Sequence, residues 1–101
     1  MEEKLKQIIN HYGVLPQLKY LQSEVFELNE AIINYENWIQ FNEGKITSSE
    51  ATIGLYNITE ELADVMVMLC QFKEHYEIDG NKIMDIMNQK IDRQLERIAN
   101  E

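Results

Sequence analysis

Residues 17–32 read QLKYLQSEVFELNEAI, and the apolar residues in this stretch are spaced three or four positions apart. Such spacing places the apolar side chains along one face of an α-helix. The face comprises Leu18, Leu21, Val25, Leu28 and Ile32. The same spacing recurs over residues 58–76 and 83–98, and no segment shows the sustained alternation of a β-strand. The pattern predicts an all-α fold, a bundle of long amphipathic helices.

Turn and capping residues divide the chain into four predicted helices. The predicted spans are residues 2–11, residues 16–42, a third helix that ends near residue 76, and residues 82–99. Thr47 and Glu50 have the spacing of a capping box. Asn57 and Glu60 have the same spacing, and Gly54 lies between the two pairs as a candidate helix break. The beginning of the third helix therefore stays open between these two positions.

The length of 101 residues predicts a single domain. A chain of this size buries only a modest core, whereas three amphipathic helices carry more apolar surface than one small bundle can hide. We therefore expect the helical bundle to be completed by oligomerisation. A homodimer is the smallest assembly that this reasoning predicts.

The charge balance excludes several classes of function. The net charge is −9, which argues against nucleic-acid binding and against docking on an anionic membrane. The N-terminus lacks the apolar core of a signal peptide, and the longest apolar run, residues 65–70, is too short to cross a bilayer. The cytoplasm is the expected compartment. The single cysteine, Cys70, excludes an intrachain disulfide.

Two pairs of acidic residues lie beside the apolar faces. Glu24 and Glu27 are three positions apart, and so are Glu61 and Asp64, so that each pair shares one helix face. If the two faces pack together, all four carboxylates can meet, and a divalent cation with oxygen ligands would offset their repulsion. In a chain with 18 acids such spacing also arises by chance, and the pair Glu27 and Glu30 fits it equally well. Spacing alone therefore does not distinguish a metal site from a chance arrangement of acids.

A basic face follows on the last predicted helix. Lys90, Arg93 and Arg97 are spaced three and four positions apart. Such a face can bind phosphate oxygens, with arginine offering two parallel hydrogen bonds. The alternative is a solvated face whose cations pair with neighbouring acids such as Asp92 and Glu96.

Taken in order, these segments resemble the MazG-like all-α nucleoside triphosphate pyrophosphohydrolases. Residues 17–32 look like the first metal-binding helix of that family, and residues 60–69, EELADVMVML, look like the second. The resemblance covers roughly residues 13–97. The chain departs from the family where Tyr20 replaces a common lysine, where Ser23 replaces a common glutamate, and where Asp92 replaces a common asparagine.

The resemblance implies an enzyme that hydrolyses an NTP or dNTP to the monophosphate and pyrophosphate, a nucleotide-pool cleaning activity. It also implies a homo-oligomer, with a tetramer favoured over a dimer. The implied cofactor is magnesium, with manganese as a second candidate. The implied metal-binding and catalytic residues are Glu24, Glu27, Glu61 and Asp64, and the implied phosphate-binding residues are Lys90 and Arg93.

Two other functions stay open at this point. The first is a non-catalytic acidic helical protein that binds a partner, which the net charge favours. Selective stabilisation by magnesium would argue against it, because an ordinary acidic surface discriminates little between ions. The second is a different metal-dependent phosphohydrolase, which would release phosphate instead of pyrophosphate.

Overall fold

The computed structural model describes residues 1–101 and consists of four helices with no strand. They are α1 (Glu2–Tyr12), α2 (Val14–Phe41), α3 (Ser48–His75) and α4 (Gly80–Ala99). The predicted all-α fold is confirmed. Helices α2 and α3 form a long antiparallel hairpin, and α1 packs against both of them. No helix of the four combines the length and the apolar composition that a membrane-spanning segment requires.

The third helix begins at the earlier of its two candidate starts. The Thr47 hydroxyl oxygen accepts a hydrogen bond from the Glu50 backbone N–H at 3.1 Å, which caps the helix. The helix then runs without interruption through Gly54, so the candidate break at this residue does not occur. A Cβ atom at residue 54 would overlap the ring of Tyr35 on α2. Gly54 therefore serves the close approach of two helices and not a turn.

Gly13 is the whole connection between α1 and α2. Its φ of 93° lies in the region that favours glycine, and its N–H donates to the Ile9 carbonyl at 2.8 Å to end α1. The chain thus reverses within one residue, and α2 starts at Val14, two positions before the predicted start. This sharp turn places α1 over the hairpin and forms a cleft between the first three helices.

The buried apolar core is small and belongs to α1 and α3. It consists of Leu5, Ile9, Val65 and Met68. The predicted apolar face of α2 is not buried within one chain, since Leu18, Val25 and Ile32 are all exposed. Burial of that face needs a partner surface that a single chain does not supply.

Helix α4 makes at most marginal contact with the other three helices, and none of its side chains is buried. It is capped at its beginning, where the Asp79 carboxylate accepts from the Asn81 N–H at 2.9 Å. Its apolar residues nevertheless line up along one face and are exposed: Met84, Met87, Ile91, Leu95 and Ile98. An amphipathic helix with an uncovered apolar face is the expected form of a helix that packs against another molecule.

Candidate metal centre

Three acidic side chains converge between α2 and α3. One carboxylate oxygen each from Glu24, Glu61 and Asp64 lies within 4.8 Å of the other two. Glu61 and Asp64 share a face because they are three positions apart on α3, and the antiparallel packing brings Glu24 of α2 opposite them. The structure thus brings together three of the four acids that the sequence singled out.

Two carboxylate oxygens of this cluster are buried without any hydrogen-bond donor. They are Oε2 of Glu24 and Oε2 of Glu61. Glu24 as a whole is only 6% exposed. A buried carboxylate in this situation takes up a proton or binds a cation. The oxygen-only ligands fit a hard divalent ion such as magnesium.

Glu27, the fourth predicted acid, is exposed, but its negative charge acts on the clustered Glu24 and Glu61. The pKa of Glu61 is raised, first by burial and then by the negative charges of Glu27, Asp64 and Glu24. No cation of the chain offsets these charges, because the only salt bridge joins Lys73 to Glu74. The four acids therefore repel one another without internal compensation.

Tyr20 lies beside the cluster. Its interaction with the Glu24 carboxylate is the main reason why the pKa of Tyr20 is raised. Burial raises the pKa of Glu24, and the interaction with Tyr20 opposes that rise only in part. Tyr20 is a neutral group and brings no positive charge to the cluster.

A cleft of about 550 Å³ leads from the acids along the three packed helices. Glu24 and Asp64 line one part of it, and the side chains of Gln17 and Gln71 line another. These two glutamines are buried and hydrogen-bonded to each other. Sequence reasoning missed them, because two polar residues 54 positions apart give no local signal of contact.

The structure does not bring the predicted phosphate-binding residues to the acids within one chain. Lys90 and Arg93 are exposed on α4, which shares no extensive interface with α2 or α3. The ion pairs considered for this face are not formed either, since no salt bridge involves α4. Within the single chain the basic face is solvated.

No family model matches this chain, and no curated protein or solved structure matches it.

Proposed function

We propose that the chain is a magnesium-dependent nucleoside triphosphate pyrophosphohydrolase of the MazG-like type. One observation carries the proposal: two buried carboxylate oxygens, on Glu24 and Glu61, lack hydrogen-bond donors and converge with Asp64. An acidic surface that only solubilises a protein or binds a basic partner keeps its carboxylates in water. Buried acids with free oxygens suit a site built for a cation.

The ligand set favours magnesium with a phosphorylated substrate. Magnesium retains several waters and is bound by few carboxylates, so substrate phosphates complete its coordination. Glu24, Glu61 and Asp64 would hold the ion, with Glu27 at the exposed side of the cluster. When bound, the ion supplies charge stabilisation and an activated water. In the proposed reaction a water oxygen bonds to the α-phosphorus, the bond to the bridging oxygen breaks, and pyrophosphate leaves.

The proposal includes a homo-oligomer, with a tetramer favoured and a dimer as the minimum. Two uncovered apolar faces support it, one on α4 and one on α2. Charge supports it as well, because the acids have no cation of their own chain while α4 presents Lys90 and Arg93 to solvent. If α4 packs on a second copy, this basic face can approach the acids of that copy.

The central test is a panel of nucleoside triphosphates incubated with magnesium, with pyrophosphate as the detected product. We expect Glu24→Gln and Asp64→Asn to abolish hydrolysis and to preserve the helical circular dichroism spectrum. Glu30→Gln is the matched control, because Glu30 is exposed on α2 and lies outside the cluster. Release of phosphate alone would indicate another phosphohydrolase. No turnover together with no magnesium-selective stabilisation would favour a non-catalytic interaction protein.

The basic face of α4 has its own test. We expect Lys90→Ala to lower kcat/KM at least about tenfold, which corresponds to about 1.4 kcal/mol of lost transition-state stabilisation. Arg93→Lys should also reduce kcat/KM, because lysine cannot make the two parallel contacts of arginine. Lys82→Ala, at an exposed position in the first turn of the same helix, is the control and should leave kcat/KM unchanged. Full activity of both Lys90→Ala and Arg93→Lys would remove the face from the site.

A further inference from the structure

The cleft between α1, α2 and α3 has two chemically different ends. Glu24 and Asp64 stand at one end, and Gln17 and Gln71 stand at the other. On each helix the acid and the amide are seven positions apart, which is two helical turns or roughly 10 Å. A volume of about 550 Å³ lies within the usual range of small-molecule sites. The cleft can thus hold a molecule with an anionic end and a polar, uncharged end.

The two glutamines are buried residues whose amide groups keep spare hydrogen-bonding capacity. Gln17 is 7% exposed and Gln71 is 2% exposed. The Gln17 Nε2 donates to the Gln71 Oε1 at 2.8 Å, and the Gln71 Nε2 donates only to the Met68 sulfur at 3.6 Å. Sulfur is a weak acceptor, and the Gln17 Oε1 accepts no hydrogen bond from the protein. The pair therefore keeps spare donor and acceptor capacity that a ligand in the cleft can use.

The walls between the two ends are aromatic and apolar. Tyr12 and Tyr20 line one side, and Val67 and Met68 line the other. Both tyrosines are more than half exposed, so their rings are accessible from the cleft. A flat, uncharged heterocycle with hydrogen-bonding edges matches such walls better than a flexible polar chain does.

We infer that this cleft is the nucleoside subsite, with the nucleobase edge against the Gln17–Gln71 amide pair. The inference rests on the proposed function and deepens it. With the base at the amide end, the nearest phosphate, the α-phosphate, lies beside Glu24 and Asp64. The Gln17 Oε1 accepts a hydrogen bond from the base, and the spare N–H groups of the pair donate to it. The protein therefore selects base-bearing triphosphates over polyphosphates that lack a base.

The test compares ligands that share the phosphate chain and differ in the base. Isothermal titration with magnesium measures the Kd of α,β-methylene nucleoside triphosphates carrying each of the common bases, and of inorganic tripolyphosphate. In the double variant Gln17→Leu/Gln71→Leu the best nucleotide analogue should bind at least about tenfold more weakly, a difference of about 1.4 kcal/mol. The Kd of tripolyphosphate should not change. Gln40→Leu, an exposed glutamine on α2 outside the cleft, is the matched control.

A second measurement needs no variant. Addition of the parent nucleoside, which has no phosphate, should shift the side-chain amide NMR signals of Gln17 and Gln71 in the wild-type protein. Unshifted signals, or tripolyphosphate bound as tightly as every nucleotide analogue, would overturn the nucleoside subsite even if magnesium-dependent pyrophosphate release is found. Shifted signals without any pyrophosphate release would instead leave the subsite standing and refute the proposed reaction.

Discussion

Removal of the charge on Glu24 should change stability in opposite directions with and without magnesium. Oxygens of Glu24 and Asp64 lie within 4.8 Å of each other. At that distance two like charges repel by about 1 kcal/mol in water and by about 3.5 kcal/mol at an effective dielectric constant of 20. Glu24→Gln removes this repulsion and keeps the side-chain shape, and the new amide can donate a hydrogen bond to Asp64 or Glu61.

Without metal, Glu24→Gln should therefore be more stable than the wild type. A gain of about 1 kcal/mol raises the Tm of a domain of this size by about 4 to 8 °C. With magnesium the order should reverse, because the wild type gains about 2.7 kcal/mol at an ion concentration of one hundred times Kd. The variant has lost a ligand charge and gains much less.

Thermal unfolding followed by circular dichroism, in EDTA and in magnesium, measures both effects. Equal protein concentrations are needed, because the Tm of an oligomer depends on concentration. Glu30→Gln makes the same charge change at an exposed position of α2 and should show neither effect. The reasoning is refuted if Glu24→Gln is no more stable than the wild type in EDTA, or if Glu30→Gln behaves identically.

Three further outcomes are expected. Gly54→Ala should lower the Tm, because overpacking against the Tyr35 ring costs about 1–3 kcal/mol and the better helix propensity of alanine offsets at most about 1 kcal/mol. In a Tyr35→Ala background the same substitution should no longer lower the Tm, and a loss that persists there would contradict the packing explanation. The raised pKa values of Glu24 and Glu61 favour the protonated forms of these side chains in the folded state. The Tm without metal should therefore rise as the pH falls from neutral towards 4.5, the ordinary pKa of glutamate. A Glu61→Gln variant whose Tm depends on pH as strongly as that of the wild type would exclude this cause. Light scattering of the wild type should find a dimer or tetramer. Leu95→Glu, on the exposed apolar face of α4, should yield monomers that keep the helical circular dichroism spectrum. If the variant has the same oligomeric mass as the wild type, the interface lies elsewhere.

Local patterns were sufficient for the helices and for the choice of acids. Caps and apolar spacing act within a few residues, so the Thr47 cap and the four helices followed from the sequence, with ends shifted by one or two positions. The spacing of Glu24 and Glu27 beside the apolar face likewise made them candidates before any contact was known. The role of Gly54 stayed open, because a glycine that ends a helix and a glycine that admits a neighbouring ring look alike in sequence.

Only the tertiary structure decided which groups meet. The sequence by itself determined an all-α chain with acids at metal-ligand spacing, but it left Glu24 and Glu30 equally eligible. The packing of α2 against α3 brings Glu24 to Glu61 and Asp64 and leaves Glu30 exposed. The same packing joins Gln17 to Gln71 across 54 positions and leaves α4 without a partner in its own chain. Helical periodicity determines which side chains share a face, whereas the relative shift of two helices depends on how their side chains fit together, and that fit has no local signature.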